Sequence, residues 1–334
     1  MQVAHQVLAA VYIAQDTTHT LRSPGPPPVL ESLATGMHPG NHHLNNALLP
    51  MRVAFQGETG AFSEEAVRIM YPHATPLPLP SMETVFGSVS AGTVACGVIP
   101  IENSLFGSVH VNYDLLRSHD VRITAELNLR IRHALLALPG TQPGDIRRVL
   151  SHPQALGQCQ VYLKQHLPDA EPVPAYDTAG AAKLVAQRRQ RGTAAIASRR
   201  AAQEYGLDIL DEGIESHAQN YTRFLAIALS AADTEAPEGD RPYKTSVAFA
   251  LRSNLPGALF RSLAVFALRD LDLHKIESRP LTGKPGKYLF YLDVAGSRKD
   301  PKVQRALGHL EEITAELRVL GSYPEGGIWD DPGS

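Results

Sequence analysis

The stretch Ser216–Ala228, SHAQNYTRFLAIA, carries the residues best suited to chemistry on a small acid. Asn220, Thr222 and Arg223 stand where a polar run turns apolar at Phe224-Leu225-Ala226-Ile227, the pattern of a loop entering a buried strand. Arginine grips a carboxylate through two parallel hydrogen bonds, threonine supplies a hydroxyl, and asparagine offers a donor and an acceptor. The same pattern suits a strand-start cap beside a surface arginine, and both readings stand at this level. Three further polar clusters have the same character. Glu102-Asn103-Ser104 closes the apolar run Cys96–Ile101. Ser151-His152-Pro153-Gln154 follows Val149–Leu150, and Asp177-Thr178 opens a helix over Ala179–Arg188. Polar residues just past the carboxyl end of a parallel strand are where open α/β sheets take ligands, and a helix N-terminus favours an anion. Each cluster also reads as a helix cap.

The elements that must position these groups follow a strand–helix rhythm. Val53–Phe55 is a strand, Gln56–Gly60 (QGETG) a turn, Ser63 the cap of a helix through Met70, and Ser81 the cap of a second through Ala91. Residues 121–137 form one long extended stretch or two strands with a crossover. Pro153 opens a helix to about His166. Thr193–Ala197 is a strand, Ser198 caps Arg199–Tyr205, and Leu207–Ile214 is irregular to extended. The clusters at 102–104, 151–154, 177–178 and 220–223 are remote in sequence, and two lobes facing a cleft would bring them together.

Composition bounds the possibilities. The chain has 334 residues, 43% hydrophobic and 19% charged, so two or three domains with real cores are expected. A net charge of −3 with scattered Lys and Arg argues against nucleic acid as a partner. No apolar run is long enough for a membrane span. Cys96 and Cys159, the only cysteines, lack metal-ligand spacing and read as reduced, buried residues of a cytoplasmic protein. Residues 1–50, with the proline-rich RSPGPPPV and a His/Asn/Gly-rich run, read as a disordered N-terminal extension or an unused upstream start. The folded protein is expected to begin at Met51.

Residues 231–243 (AADTEAPEGDRPY) read as a linker, and residues 244–323 as a compact βαββαβ unit, the ferredoxin-like motif. Units of this kind usually pair, so a homodimer or homotetramer is expected. The tail, 324–334, reads as loose, with Trp329 able to pack back.

Seven segments in order carry a resemblance: VAFQGETGAFSEEA, GVIPIENSLFGSV, SHPQALGQC, YDTAGAA, NYTRFLAI, PGALF and ESRP. Together they resemble a prephenate dehydratase with a C-terminal ACT regulatory domain, over about Met51 to Tyr323. Tyr221 departs from the pattern, standing where a small or aliphatic residue is more usual. The resemblance implies an α/β fold of two lobes like a type II periplasmic binding protein, followed by an α+β ACT domain. Lobe 1 would hold about 52–125 and 207–230, and lobe 2 about 126–206. It implies conversion of prephenate to phenylpyruvate, with loss of water and carbon dioxide, on the route to phenylalanine. Arogenate dehydration is the neighbouring alternative, and a non-catalytic small-acid sensor the alternative of another class. No cofactor or metal is expected, because aromatisation of the ring supplies the driving force. Thr222 is implied as the essential residue, donating to the leaving hydroxyl. Arg223 is the expected carboxylate clamp, with Asn103, Ser104, Ser151, Gln154, Thr178 and Asn220 as substrate donors. The implied L-phenylalanine effector site comprises Asn254, Leu255, Pro256, Gly257, Ala258, Leu259 and Phe260, with Glu277, Ser278, Arg279 and Pro280.

Overall fold

The computed structural model describes residues 51–230, 241–253, 255–281 and 283–330. The N-terminal extension, most of the linker, Asn254 and the last four residues of the tail lie outside the described residues.

The chain opens as β1 (Arg52–Gln56), α1 (Phe62–Met70), β2 (Thr75–Leu79), α2 (Met82–Ser90), β3 (Cys96–Asn103), β4 (Gly107–Ser108), α3 (His110–Ser118) and β5 (Val121–Arg130). It continues through β6 (Ala134–Ala137), β7 (Arg148–Ser151), α4 (Pro153–Gln158), α5 (Gln160–His166), β8 (Glu171–Pro174), α6 (Thr178–Arg188), β9 (Thr193–Ala197), α7 (Arg199–Tyr205) and β10 (Asp208–Glu212). Next come β11 (Tyr221–Leu229), β12 (Tyr243–Leu251), α8 (Ala258–Ala267), β13 (Leu273–Pro280) and β14 (Tyr288–Ala295). The last elements are α9 (Pro301–Ile313), β15 (Thr314–Pro324) and β16 (Ile328–Trp329).

Two sheets organise these elements. The smaller has the order β10-β6-β9-β7-β8, and the larger β13-β14-β12-β15-β5-β11-β3-β1-β2. Parallel strands covered on both faces are apolar throughout: Val53, Ala54 and Phe55 of β1 are all fully buried. Local signals set the helix starts. Ser81 and Thr84 form a reciprocal capping box on α2, Asp177 caps α6, and Ser198 accepts from the Ala201 N–H (3.0 Å) at α7. At α1 the expected cap, Ser63, lies inside the helix, and Ala61 occupies the cap without a side-chain bond. The Glu64 carboxylate substitutes, accepting from the Gly60 N–H at 2.6 Å. The helix expected from Pro153 to His166 is broken at Cys159, two residues beyond Gly157, whose type is the least helix-favouring present after proline.

The extended stretch 121–137 resolves into two strands in different sheets, which moves the lobe boundary. β5 stays in the larger sheet as far as Arg130 because it pairs with β11 along its length, ending at Arg130 opposite Tyr221. β10 pairs antiparallel with β6 and so belongs to the second lobe. The chain therefore crosses between lobes at 131–133 and 213–220, not near 125 and 207. One apolar cluster joins the lobes, combining Phe55, Leu129 and Phe224 with Ala179, Ala197 and Ala201.

The C-terminal module has the expected βαββαβ order, with α8 and α9 over the sheet β13-β14-β12-β15. Its core includes Phe249 stacked on Phe290 with ring centroids 5.3 Å apart. Gly321 of β15 lies opposite Ile123 of β5, joining the module's sheet to that of lobe 1. A Cβ at Gly321 would sit 2.3 Å from the Ile123 carbonyl oxygen, so the join needs a residue without a side chain. The tail is not loose as far as it is described. β16 adds to β5, Trp329 packs against the core between the lobes, and Asp330 pairs with Arg130 (2.8 Å) and Arg132 (2.7 Å). Cys96 and Cys159 are buried and free, and burial pushes the Cys96 thiol up to about 12.

Candidate active site

β11 presents Thr222 directly opposite Asn103, the last residue of β3. The pairing skips Ile101, a bulge next to Pro100, whose missing N–H already weakens the ladder there. Beyond the bulge, Asn103 is fixed at both ends of its amide. Its Oδ1 accepts from the N–H groups of Leu105 (3.0 Å) and Phe106 (3.2 Å), which sets the amide's orientation. Its Nδ2 then donates to Asn220 Oδ1 (2.9 Å) and to Thr222 Oγ1 (3.0 Å). Thr222 is thus an acceptor from Asn103, which leaves its own hydroxyl proton to donate to a group in the cleft. Asn220 is fully buried, and its Nδ2 has no partner among the described residues. One amide side chain therefore orders two donors of a kind that an oxyanion or a leaving hydroxyl requires.

Three of the expected substrate donors serve the scaffold. Ser104 donates to the Gln219 carbonyl (2.9 Å) and accepts from the Tyr221 N–H (3.0 Å), lacing the turn after β3 to the start of β11. Ser151 is fully buried and donates to the Ile196 carbonyl at 2.6 Å, tying β7 to β9. Arg223 points away from Thr222, because neighbours on a strand face opposite sides. Its Nε donates to Glu126 (2.7 Å), Nη1 to Asp293 (2.5 Å) and Nη2 to the Tyr323 hydroxyl (3.0 Å). The expected carboxylate clamp is thus committed to the C-terminal module. Gln154 is exposed in the first turn of α4, where its N–H meets His152 Nδ1 (3.3 Å), and Thr178 is the first residue of α6. Both lie on the second lobe, past the ends of β7 and β8.

The residues facing them across the lobes were missed from sequence. In the turn after β1, Glu58 accepts from the Tyr176 hydroxyl (2.7 Å) and from Lys183 (2.8 Å). The Lys183 hydrogen bond holds the Glu58 carboxyl below its ordinary value. Gly60 accepts from Ser198 Oγ (2.6 Å), and Tyr205 reaches the Thr59 carbonyl (2.7 Å). A Cβ on Gly60, whose φ is 90°, would stand 2.8 Å from Ala201 Cα, so glycine permits this close approach of the lobes. Asp177 Oδ1 caps α6, and its Oδ2 lies buried against the backbone of the turn after β1. Burial pushes its carboxyl above the ordinary value. The signal for Glu58 was available: QGETG closes a strand just as Glu102-Asn103-Ser104 does.

At the crossing between the lobes lies a cavity of about 230 Å³, lined in part by Phe62, Arg130, Arg132, His133, Arg199 and Glu212. His133 Nε2 lies 2.6 Å from Gln158 Oε1, which assigns the proton to Nε2 and leaves Nδ1 a buried acceptor with no partner among the described residues. Burial lowers the His133 pKa and keeps the ring neutral. The charges of its wall are balanced, since Arg130 and Arg132 pair with Asp330, Arg199 pairs with Glu212, and Glu65 also lines it.

On β13 the side chains alternate. Glu277 meets Ser108 (2.7 Å) and His110 (3.3 Å), Lys275 meets Glu102 (3.0 Å), and Arg279 meets Asp114 (2.6 Å). Ser278 and Pro280 face outward. Of the expected effector residues, Glu277 and Arg279 thus touch lobe 1 near the turn that holds Asn103. Leu255 and Phe260 are 58% and 72% exposed, and Gly257 turns the chain into α8 with a φ of 75°.

The structure is thus a two-lobed α/β body with strand-end polar groups near the crossing, joined to a βαββαβ module. Comparison gives the family. The prephenate dehydratase family matches residues 53–232. "Arogenate dehydratase/prephenate dehydratase 2, chloroplastic" of Arabidopsis thaliana is 47% identical over 283 residues, covering 82% of this chain and 73% of that protein. The solved prephenate dehydratase of Arthrobacter aurescens, in complex with L-Phe, is 34% identical with a TM-score of 0.75, covering 82% of this chain and 90% of that one. A structure titled "GqqA- a novel type of quorum quenching acylases" has the same TM-score at 32% identity, covering 82% of this chain and 98% of that one. The chain belongs to the prephenate dehydratase family and is an enzyme of the dehydratase, or carbon–oxygen lyase, class.

Proposed function

We propose that this chain dehydrates and decarboxylates prephenate to phenylpyruvate, with Thr222 as the catalytic donor. The observation that carries the reading is the Thr222 hydroxyl, held as an acceptor by Asn103 with its proton left to give. In the reaction the C1–carboxylate bond breaks and its electron pair enters the ring as the C4–hydroxyl bond breaks. The departing oxygen takes up one proton, so prephenate and a proton yield phenylpyruvate, carbon dioxide and water. A threonine hydroxyl is far from the pKa a general acid needs, so Thr222 acts as a positioned hydrogen-bond donor to the leaving oxygen. Asn220 adds a second donor beside it. Gln154 and Thr178 complete the substrate's contacts from the second lobe, whose approach is secured by Glu58 with Tyr176 and Lys183.

The name of the Arabidopsis relative favours a second substrate, arogenate, which bears an ammonium where prephenate has a keto group. L-phenylalanine is the proposed effector, bound between modules of a homodimer or homotetramer at residues 255–260 and 277–280. The complex of the Arthrobacter relative with L-Phe supports this part of the reading. The test is turnover of purified protein on prephenate and on arogenate, with and without phenylalanine. Turnover suppressed by phenylalanine is expected. Turnover indifferent to phenylalanine removes the effector, and inertness on both substrates overturns the enzyme reading.

A further inference from the structure

The residue beside Thr222 has a task of its own. Arg223 lies in a closed ring of hydrogen bonds with the C-terminal module. Its Nη2 donates to the Tyr323 oxygen (3.0 Å), Tyr323 O–H donates to Ser246 Oγ (2.6 Å), and Ser246 O–H donates to Asp293 Oδ1 (2.5 Å). Asp293 Oδ2 accepts from Arg223 Nη1 (2.5 Å), which closes the ring. Glu126 of β5 anchors the guanidinium from lobe 1 and also accepts from Lys244 of β12 (2.8 Å). Asp293, Ser246 and Tyr323 come from three strands of the module and are all buried. A ring of this kind, with each donor matched to one acceptor, has one arrangement and rigidifies what it holds.

What it holds is the start of β11. Thr222 follows Asn220, where the chain leaves the crossing between lobes, and on the cleft side only the Asn103 amide orders its hydroxyl. The bulge opposite Arg223 and Phe224 leaves the pairing with β3 irregular at this point. A displacement of about 1 Å at a reacting group can cost about 10²-fold in rate.

We propose that Asp293 and Tyr323 of the C-terminal module are positioning residues for the dehydration, acting through Arg223 to set the backbone that carries Thr222. The proposal rests on the reading of Thr222 as catalytic. It makes the module part of the catalytic apparatus, and any ligand that shifts β14 or β15 is then felt at Thr222.

The test uses the full-length chain with prephenate, comparing Asp293→Asn, Tyr323→Phe and Arg223→Lys, the last retaining the charge without the planar fork. Asp293→Asn and Arg223→Lys should lower kcat about tenfold or more, with KM within about twofold, in protein whose circular dichroism is unchanged. Tyr323→Phe, the mildest change, should lower kcat in the same sense and keeps the proposal testable if the others fail to fold. Because Asp293 acts through Arg223, the double variant should lose no more than the worse single one. An unchanged kcat in folded variants, losses in KM alone, or additive losses in the double variant would overturn the proposal. A Thr222→Val control separates the two readings. Loss of turnover there with unaltered Asp293→Asn sinks the positioning role alone, and retained turnover sinks the role of Thr222.

Discussion

The two faces of β11 differ in how completely their polar groups are met. On the cleft face, Asn103 holds Thr222 and Asn220 in place, yet a hydroxyl proton and a buried amide N–H2 are left without a partner among the described residues. On the opposite face, one residue on, Arg223, Asp293, Ser246 and Tyr323 satisfy one another in a closed ring. An unsatisfied buried donor costs free energy, so Asn220 Nδ2 calls for a water or a ligand to meet it. A satisfied buried network gives rigidity in return for desolvation. The contrast separates a face built to act from a face built to hold, and it places the arginine of the TRF triplet on the second.

Substitutions on the two faces should have unequal consequences. Arg223→Met leaves Asp293 buried without its paired guanidinium and Glu126 with Lys244 alone, and should cost about 3–5 kcal/mol of stability, read by denaturant unfolding. A loss under about 1 kcal/mol, the worth of a surface pair, would show that the seam carries no such load. On the cleft face, Asn103→Ala frees the Thr222 hydroxyl to rotate and should lower kcat by up to about 10²-fold, and it should cost about 1–3 kcal/mol because buried Asn220 Oδ1 loses its partner, checked by steady-state kinetics and a melting curve. Asp293 sharpens the contrast through pH. Burial alone would raise its carboxyl pKa, but Arg223, Ser246 and Lys244 outweigh burial and hold it below the ordinary value. Its stabilisation is therefore complete above the unfolded carboxylate value of about 4 and disappears as pH falls through the lower folded one. The stability gap between the wild type and Asp293→Asn, followed from pH 7 downward, should narrow only in that acid window. The smallest effect belongs to Glu58→Gln, which weakens the partly exposed pair with Lys183. It should raise KM a few-fold and leave kcat unchanged, since the pair serves lobe approach and not bond breaking.

How much of this was legible in the sequence depends on the range of the signal. The strand–helix rhythm, the Ser81 cap, the βαββαβ order and the strand-end positions of Asn103 and Thr222 follow from local patterns. The direction of Arg223 did not, because its partners lie 70 and 100 residues away on strands whose pairing the sequence does not announce. Alternation along the strand already forbade Thr222 and Arg223 from serving one pocket, and that consequence of a correct strand assignment was available. Ser104 and Ser151 were misplaced for a related reason. A hydroxyl at a strand end can face a ligand or a neighbouring carbonyl, and only the tertiary partner decides. Trp329 packs back as expected, but the rest of the tail, read as loose, is tied down because Gly326 and Asp330 meet β5 and two arginines about 200 residues earlier in the chain. A Cβ at Gly326 would stand 2.2 Å from the Glu126 carbonyl oxygen.

In the proposed reaction the Thr222 hydroxyl does the chemistry, and its strand is held from behind. The most direct test is Thr222→Val, which removes the hydroxyl and keeps the shape, with prephenate binding measured by calorimetry and turnover by phenylpyruvate absorbance. Binding should stay within a few-fold of wild type while turnover falls by on the order of 10²–10³. Turnover near the wild-type rate would contradict that role for Thr222.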